Sequence, residues 1–260
     1  WLPLSRGLGD VYKRQIYCLI SKFIMEHFVT ILTIAAFIIF YSFLYGPKIA
    51  IAVAISIFFH ELGHIIALKK LKYKVKGFYF TPIGGVVIYN KPQNTKDSVI
   101  INLAGPFFGV LVGFISLLLG LVYKESVYFY QASMVFGLNA FNLFPINGLD
   151  GGNALRMAVK SFGKKASLFY SVAAYVFSLG AALLAVFMPE INKSGAIIMT
   201  LLSMVSCYQM IKEIMHYSTP QDYVENNMSK KQSIFTLLIV PIAIIIFFAL
   251  SYFSFLAIKL

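Results

Sequence analysis

The sequence predicts an all-α polytopic membrane protein with about seven transmembrane helices and a small membrane-associated β-hairpin between the second and third. Three observations carry that expectation. First, the 260 residues are 59% hydrophobic and only 12% charged, with a mean hydropathy of +0.80. Soluble chains sit near ~45–50% apolar and ~25% charged, which excludes a charged disordered tail and a water-soluble nucleic-acid binder. Second, seven apolar runs approach the ~20 residues needed to cross a ~30 Å hydrocarbon layer. They cover 28–45, 49–68, 99–122, 127–144, 167–188, 195–215 and 234–258. Third, of the 22 Lys and Arg, all but Lys48, Lys124, Lys193 and Lys259 fall on segments that alternating spans would place on one side. Basic residues mark the cytosolic side. The net +12 therefore reads as a topology signal.

Taken in order, residues 1–15 begin with Trp and show neither a regular period nor the parts of a signal peptide. They are expected to be a non-native leader, with a native cytosolic tail as the alternative. Cys18 and Cys207 are isolated and read as inert apolar residues. Residues 16–48 hold the first transmembrane segment, 49–160 a three-helix core, and 161–260 three further helices. Within the core, 72–80 alternate at period two, Thr81-Pro82 breaks the pattern, and 83–89 form a second β-type run. Strand backbone at a membrane face survives only against protein or water, so the hairpin is expected to line a cavity. Gly105, Gly109 and Gly113 recur every four residues in the third span. They read as a small-residue packing face without direct function.

Among the ten acids, only Glu61 and Asp150 lie inside or at the end of an apolar segment, where ionisable groups are costly and usually functional. His60-Glu61-Leu62-Gly63-His64 is an H-E-x-x-H motif in the second span. At spacing i, i+4 both imidazoles share a helix face, as two zinc ligands should. Glu61 follows the first of them, where it can act as general base towards a zinc-activated water. A polar helix–helix network is the plainer reading of the same residues. A catalytic zinc takes a third protein ligand, and Asp150 is the remaining buried acid. It ends a stretch from Asn142 in which Pro145, Gly148, Gly151 and Gly152 break the helix and permit close backbone approach. A helix-terminus cap is its plainer role. Asn102, Asn139, Asn142 and Asn147 could line a water path. Glu213-Ile214-Met215-His216 has the spacing of a di-iron bundle but no partner set, so it reads as a solvated span end.

His60–His64, the Gly84-Gly85 strand, Asn102-Leu103-Ala104-Gly105-Pro106, and Asn142 with Pro145 and Leu149-Asp150-Gly151 together resemble the site-2 protease family, peptidase family M50, of intramembrane zinc metalloproteases. The resemblance covers about 49–160 and is to the compact sporulation-type or archaeal members without PDZ or CBS domains. It implies one Zn²⁺ per chain held by His60, His64 and Asp150, with Glu61 as catalytic base and Asn142 as a catalytic polar group beside them. It also implies peptide-bond hydrolysis in or near transmembrane segments. The partners would be a membrane-protein substrate, the lipid bilayer and a membrane regulatory protein, with no nucleic acid. The location would be a bacterial cytoplasmic membrane, with the site towards the cytosol. Gly148 departs from the pattern, since many members carry proline two residues before the aspartate. An extended substrate could add to the strand edge at Gly84, Gly85, Val86 and Val87. Two other readings are a membrane metallopeptidase of another H-E-x-x-H family and a metal or small-solute transporter. The first needs a downstream helical glutamate, which neither Glu125 nor Glu190 supplies. The second usually shows paired repeats, and neither motif has a second copy.

Overall fold

A computed structural model describes residues 28–81, 84–90, 92, 94–187, 193–216 and 226–258. The leader at 1–15, Cys18, His27, Pro82, Ile83 and the acids Glu26, Glu190, Asp222 and Glu225 lie outside the described residues. Helix α1 (Phe28–Tyr45) turns at Gly46, whose φ of 87° suits glycine. Pro47 then starts α2 (Pro47–Lys70), where its missing N–H costs nothing. Strands β1 (Val75–Thr81) and β2 (Gly84–Tyr89) follow, then α3 (Thr95–Tyr123), α4 (Ser126–Asn142) and the short α5 (Asp150–Val159). A 3₁₀ turn (Lys160–Phe162) leads into α6 (Lys164–Phe187), α7 (Lys193–His216) and α8 (Lys230–Ala257).

Every expected apolar run is a helix, and the expected hairpin lies between α2 and α3. Among the described residues, six helices are long and apolar enough to cross a membrane by length and composition. The seventh run, α4, has 17 residues, or about 25 Å of helix, at the lower edge of a span. It is wrapped by α2, α3 and α8, so protein rather than lipid covers most of it.

The core forms where α3, α4, α5 and α8 meet, through Val110, Phe136, Leu143, Leu155, Val240 and Phe247. Glycines let α3 and α4 approach. A Cβ at Gly113 would meet the Phe136 ring at 2.7 Å, and one at Gly120 would meet Phe129 at 2.9 Å. Side chains such as Phe43, Phe169 and Phe187 point outward and are largely exposed, as a lipid-facing surface requires. At one end of the bundle Tyr45, Lys48, Val127 and Ile258 line a shared cavity. The ends of α1 and α8 therefore meet the starts of α2 and α4, as alternating helix directions demand.

The hairpin is antiparallel, with Phe78 opposite Val87, Tyr79 opposite Val86 and Phe80 opposite Gly85. Its outer edge along β1 is already occupied. Thr30 of α1 donates its hydroxyl to the Phe78 carbonyl at 2.8 Å, and the Phe80 N–H donates to the Thr33 hydroxyl at 3.2 Å. Directly opposed residues in an antiparallel pair share their bonding state. Gly85 and Val87 therefore aim their backbone polar groups away from β1, and among the described residues no further strand pairs with β2.

Candidate metal centre

His60, Glu61 and His64 are all buried on α2. The histidine Nε2 atoms stand 3.1 Å apart. Asp150 reaches them from another element: its Oδ2 lies 2.9 Å from His60 Nε2 and 3.3 Å from His64 Nε2. Local sequence explains that reach. Helix α4 stops at Asn142, just before Phe144-Pro145, and the chain turns through Gly148 at φ 103°. A Cβ on Gly151 would overlap the Leu143 carbonyl, and one on Gly152 the Ile146 carbonyl. Only glycine lets α5 fold back this tightly onto the turn. Asp150 is then the first residue of α5, where the helix dipole favours a carboxylate.

Hydrogen bonding fixes what the cluster can hold. His64 Nδ1 lies 2.7 Å from the Ile101 carbonyl, which can only accept, so Nδ1 carries the proton. Asn139 donates its Nδ2 to the Val135 carbonyl at 2.7 Å, which turns its Oδ1 towards His60 Nδ1 at 2.9 Å. That nitrogen is protonated as well. In the neutral imidazoles both Nε2 lone pairs then point at one another and at a carboxylate oxygen. In that state three acceptors crowd together, an arrangement that a cation between them satisfies. Their spacings approach ~3.3 Å, the edge of a tetrahedron whose metal–ligand bonds are ~2.0 Å. The ligand atoms all lie within 4.8 Å of one another, and the residues present fit a zinc ion.

The other expected site residues separate into those that reach the cluster and those that do not. Asn142 places its Nδ2 3.4 Å from His60 Nε2. Asn102 turns back along its own helix to the Ser98 carbonyl at 2.6 Å. Asn147 is fully buried, and its amide group finds no partner among the described residues. In β2, Gly85 lies against Glu61, because a Cβ there would meet Glu61 Oε1 at 2.7 Å. Val87 packs beside Ala67, Leu68 and Ile101. Gly84, at φ 141°, has nothing within 4 Å of its Cβ position, and Val86 is 41% exposed.

Two readings of the sequence are corrected. The glycines of α3 are not packing alone: a Cβ on Gly105 would sit on His64 Nε2, and one on Gly109 would meet Asn139 Oδ1 at 2.6 Å. Those glycines bring α3 against the histidines and their support. Glu213 is not a solvated span end, since it pairs with Arg156 at 3.2 Å. The sequence reading also left the specific partners of the histidines unassigned. Asn139, three residues before Asn142 and so on the same helix face, was the available signal. The Ile101 carbonyl had none, because any residue type supplies it.

Fold and site together define a membrane helix bundle with a buried centre of two histidines and one carboxylate on an H-E-x-x-H helix. Residues 48–128 match the model of peptidase family M50, the family that the motifs resemble. A zinc metalloprotease of Methanocaldococcus jannaschii is 30% identical over 115 residues, which is 42% of this chain and 34% of that protein. A chloroplastic protein of Oryza sativa subsp. indica, named a probable zinc metalloprotease, is 27% identical over 164 residues, 45% of this chain and 30% of its own length. The match thus spans about a third of the length of these curated relatives. A solved site-2 protease from Methanocaldococcus jannaschii is similar over 74% of this chain and 91% of that one, at 22% identity and a TM-score of 0.48.

Proposed function

We propose that this chain is an intramembrane zinc metalloprotease that hydrolyses peptide bonds in or near transmembrane segments of membrane-protein substrates. The observation that carries the proposal is the convergence of His60 Nε2, His64 Nε2 and Asp150 Oδ2 inside a bundle of membrane-length helices. Those three residues are assigned as the ligands of one Zn²⁺ per chain. Bound there, the ion would polarise a scissile carbonyl and make water acidic enough to attack near neutral pH. Glu61 takes the proton of the attacking water and returns it to the leaving amine. Asn142, whose Nδ2 faces the cluster, donates a hydrogen bond to the oxygen that becomes negative during attack.

A helical substrate hides its carbonyls in its own hydrogen bonds, so it must become extended before cleavage. The open edge of β2 supports strand addition: Gly85 and Val87 offer backbone groups there, and Gly85 stands directly over Glu61. Gly84, Gly85, Val86 and Val87 are the proposed substrate-binding strand. The charge bias favours a site towards the cytosol, in a bacterial cytoplasmic membrane.

The test is purified protein with a tagged single-span substrate. Glu61→Gln should keep about one zinc per chain while cleavage falls by roughly 10²–10⁴, the range of general-base contributions. Asp150→Ala should lose the zinc. A Glu61→Gln protein that cleaves at the wild-type rate removes Glu61 from the mechanism.

A further inference from the structure

Arg156 and Lys160 lie four residues apart where α5 runs into the 3₁₀ turn, so they share one face. That face is turned to the end of α7: Arg156 Nη1 donates to Glu213 Oε1 at 3.2 Å. Lys212 precedes Glu213 in the same turn of α7. All four side chains are partly buried, and among the described residues three cations gather about a single carboxylate. The imbalance leaves marks. Arg156 Nε is buried without a hydrogen-bond partner among the described residues. Burial first, and then Arg156, holds the Lys160 ammonium below the usual lysine range; Lys212 pushes the same way and Glu213 opposes. Surplus positive charge on half-buried side chains is costly unless an anion shares it.

Position selects the anion. Helix α6 begins at Lys164 and α7 ends at His216, and both belong to the membrane-length set. The cluster therefore sits at headgroup depth, and Phe162 stands exposed in the adjoining 3₁₀ turn. Basic pockets between transmembrane helices suit lipid phosphates.

We propose that Arg156, Lys160 and Lys212 form a binding site for the phosphate of an anionic phospholipid headgroup, between α5, its 3₁₀ turn and the end of α7. Such a lipid ties α7 to the helix that begins with Asp150, beside the Arg156–Glu213 pair that already joins them. This site is independent of the proposed proteolysis.

The test is native mass spectrometry of the full chain in detergent, titrated with short-chain phosphatidylglycerol or phosphatidylcholine. Wild type should bind phosphatidylglycerol in preference. Lys160→Gln with Lys212→Gln should weaken it about thirtyfold, which is ~2 kcal/mol at ~1.4 kcal/mol per tenfold for two basic groups at an anionic surface. Lys164→Gln with Lys165→Gln removes the same charge from exposed neighbours and should leave the affinity unchanged. Glu213→Gln should tighten binding. Lys212→Gln alone should weaken it about fivefold by the same conversion, which serves should the double variant not fold. Equal weakening by both double variants, or no preference for phosphatidylglycerol, overturns the site. Inorganic phosphate that displaces phosphatidylglycerol at equal concentration overturns the lipid as its occupant.

Discussion

His60 is oriented before any metal arrives, because Asn139 accepts from its Nδ1 and is itself anchored to the Val135 carbonyl. Partners of this kind fix the tautomer of a ligand, and their loss typically costs 10–100-fold in metal affinity. Asn139→Leu should therefore weaken zinc binding by about that factor, read by competition with a chromophoric chelator. Unchanged affinity would remove Asn139 from the site. Gly105 makes a different demand, for space. Gly105→Ala places a methyl on His64 Nε2, whereas Gly120→Ala meets only the edge of the Phe129 ring at 2.9 Å. The first variant should lose its zinc and the second should keep it, by elemental analysis of proteins that retain helical circular dichroism. Zinc retained at wild-type level in Gly105→Ala would mean that α3 stands further from the ligands. The cluster of His60, His64 and Asp150 was legible in the sequence because the two histidines sit on one helix turn and buried acids are scarce. Asn139 and Gly105 were not legible, because their roles depend on how α3 and α4 are rotated against α2.

The helices themselves were legible as apolar runs, but their ends were not. Helix α3 starts at Thr95, ahead of the apolar run, because Asn94 caps it by accepting from the Asp97 N–H at 2.8 Å. The capping box of Ser229 and Gln232 likewise starts α8 at Lys230. Polar first turns are invisible to hydropathy. Helix α5 escaped for the related reason that ten residues with one apolar face make no long run. The hairpin was legible from its alternation, but the block on one edge was not, since it comes from Thr30 and Thr33 far away in sequence. Replacing both with Val leaves the Phe78 carbonyl and Phe80 N–H without those partners, at about 1 kcal/mol for each bond. Hydrogen exchange at the Phe80 amide should speed up in Thr30→Val/Thr33→Val, with protection in α3 unchanged. Equal exchange in both proteins would mean that α1 does not hold that edge.

For the whole molecule, direction in the membrane follows from the same helices. Lys48 and Lys124 belong to the end where α1, α2 and α4 turn, whereas Lys69, Lys70, Lys164 and Lys230 flank the opposite end, which also carries the hairpin and α5. Lys and Arg near span ends accumulate on the cytosolic side. The crowded end, with the metal centre near it, should therefore face the cytosol. Single cysteines report this in a background with Cys18→Ser and Cys207→Ser. Positions 48 and 124 should react with a membrane-impermeant maleimide on intact cells. Positions 164 and 230 should react only after permeabilisation. The two pairs lie on opposite ends of helices with fixed alternation, so they must exchange together or not at all. The reverse pattern would turn the whole bundle over and place the site on the outer side. Labelling of all four from outside would mean instead that α4 does not cross the membrane, because α4 is the long helix that separates position 124 from position 164.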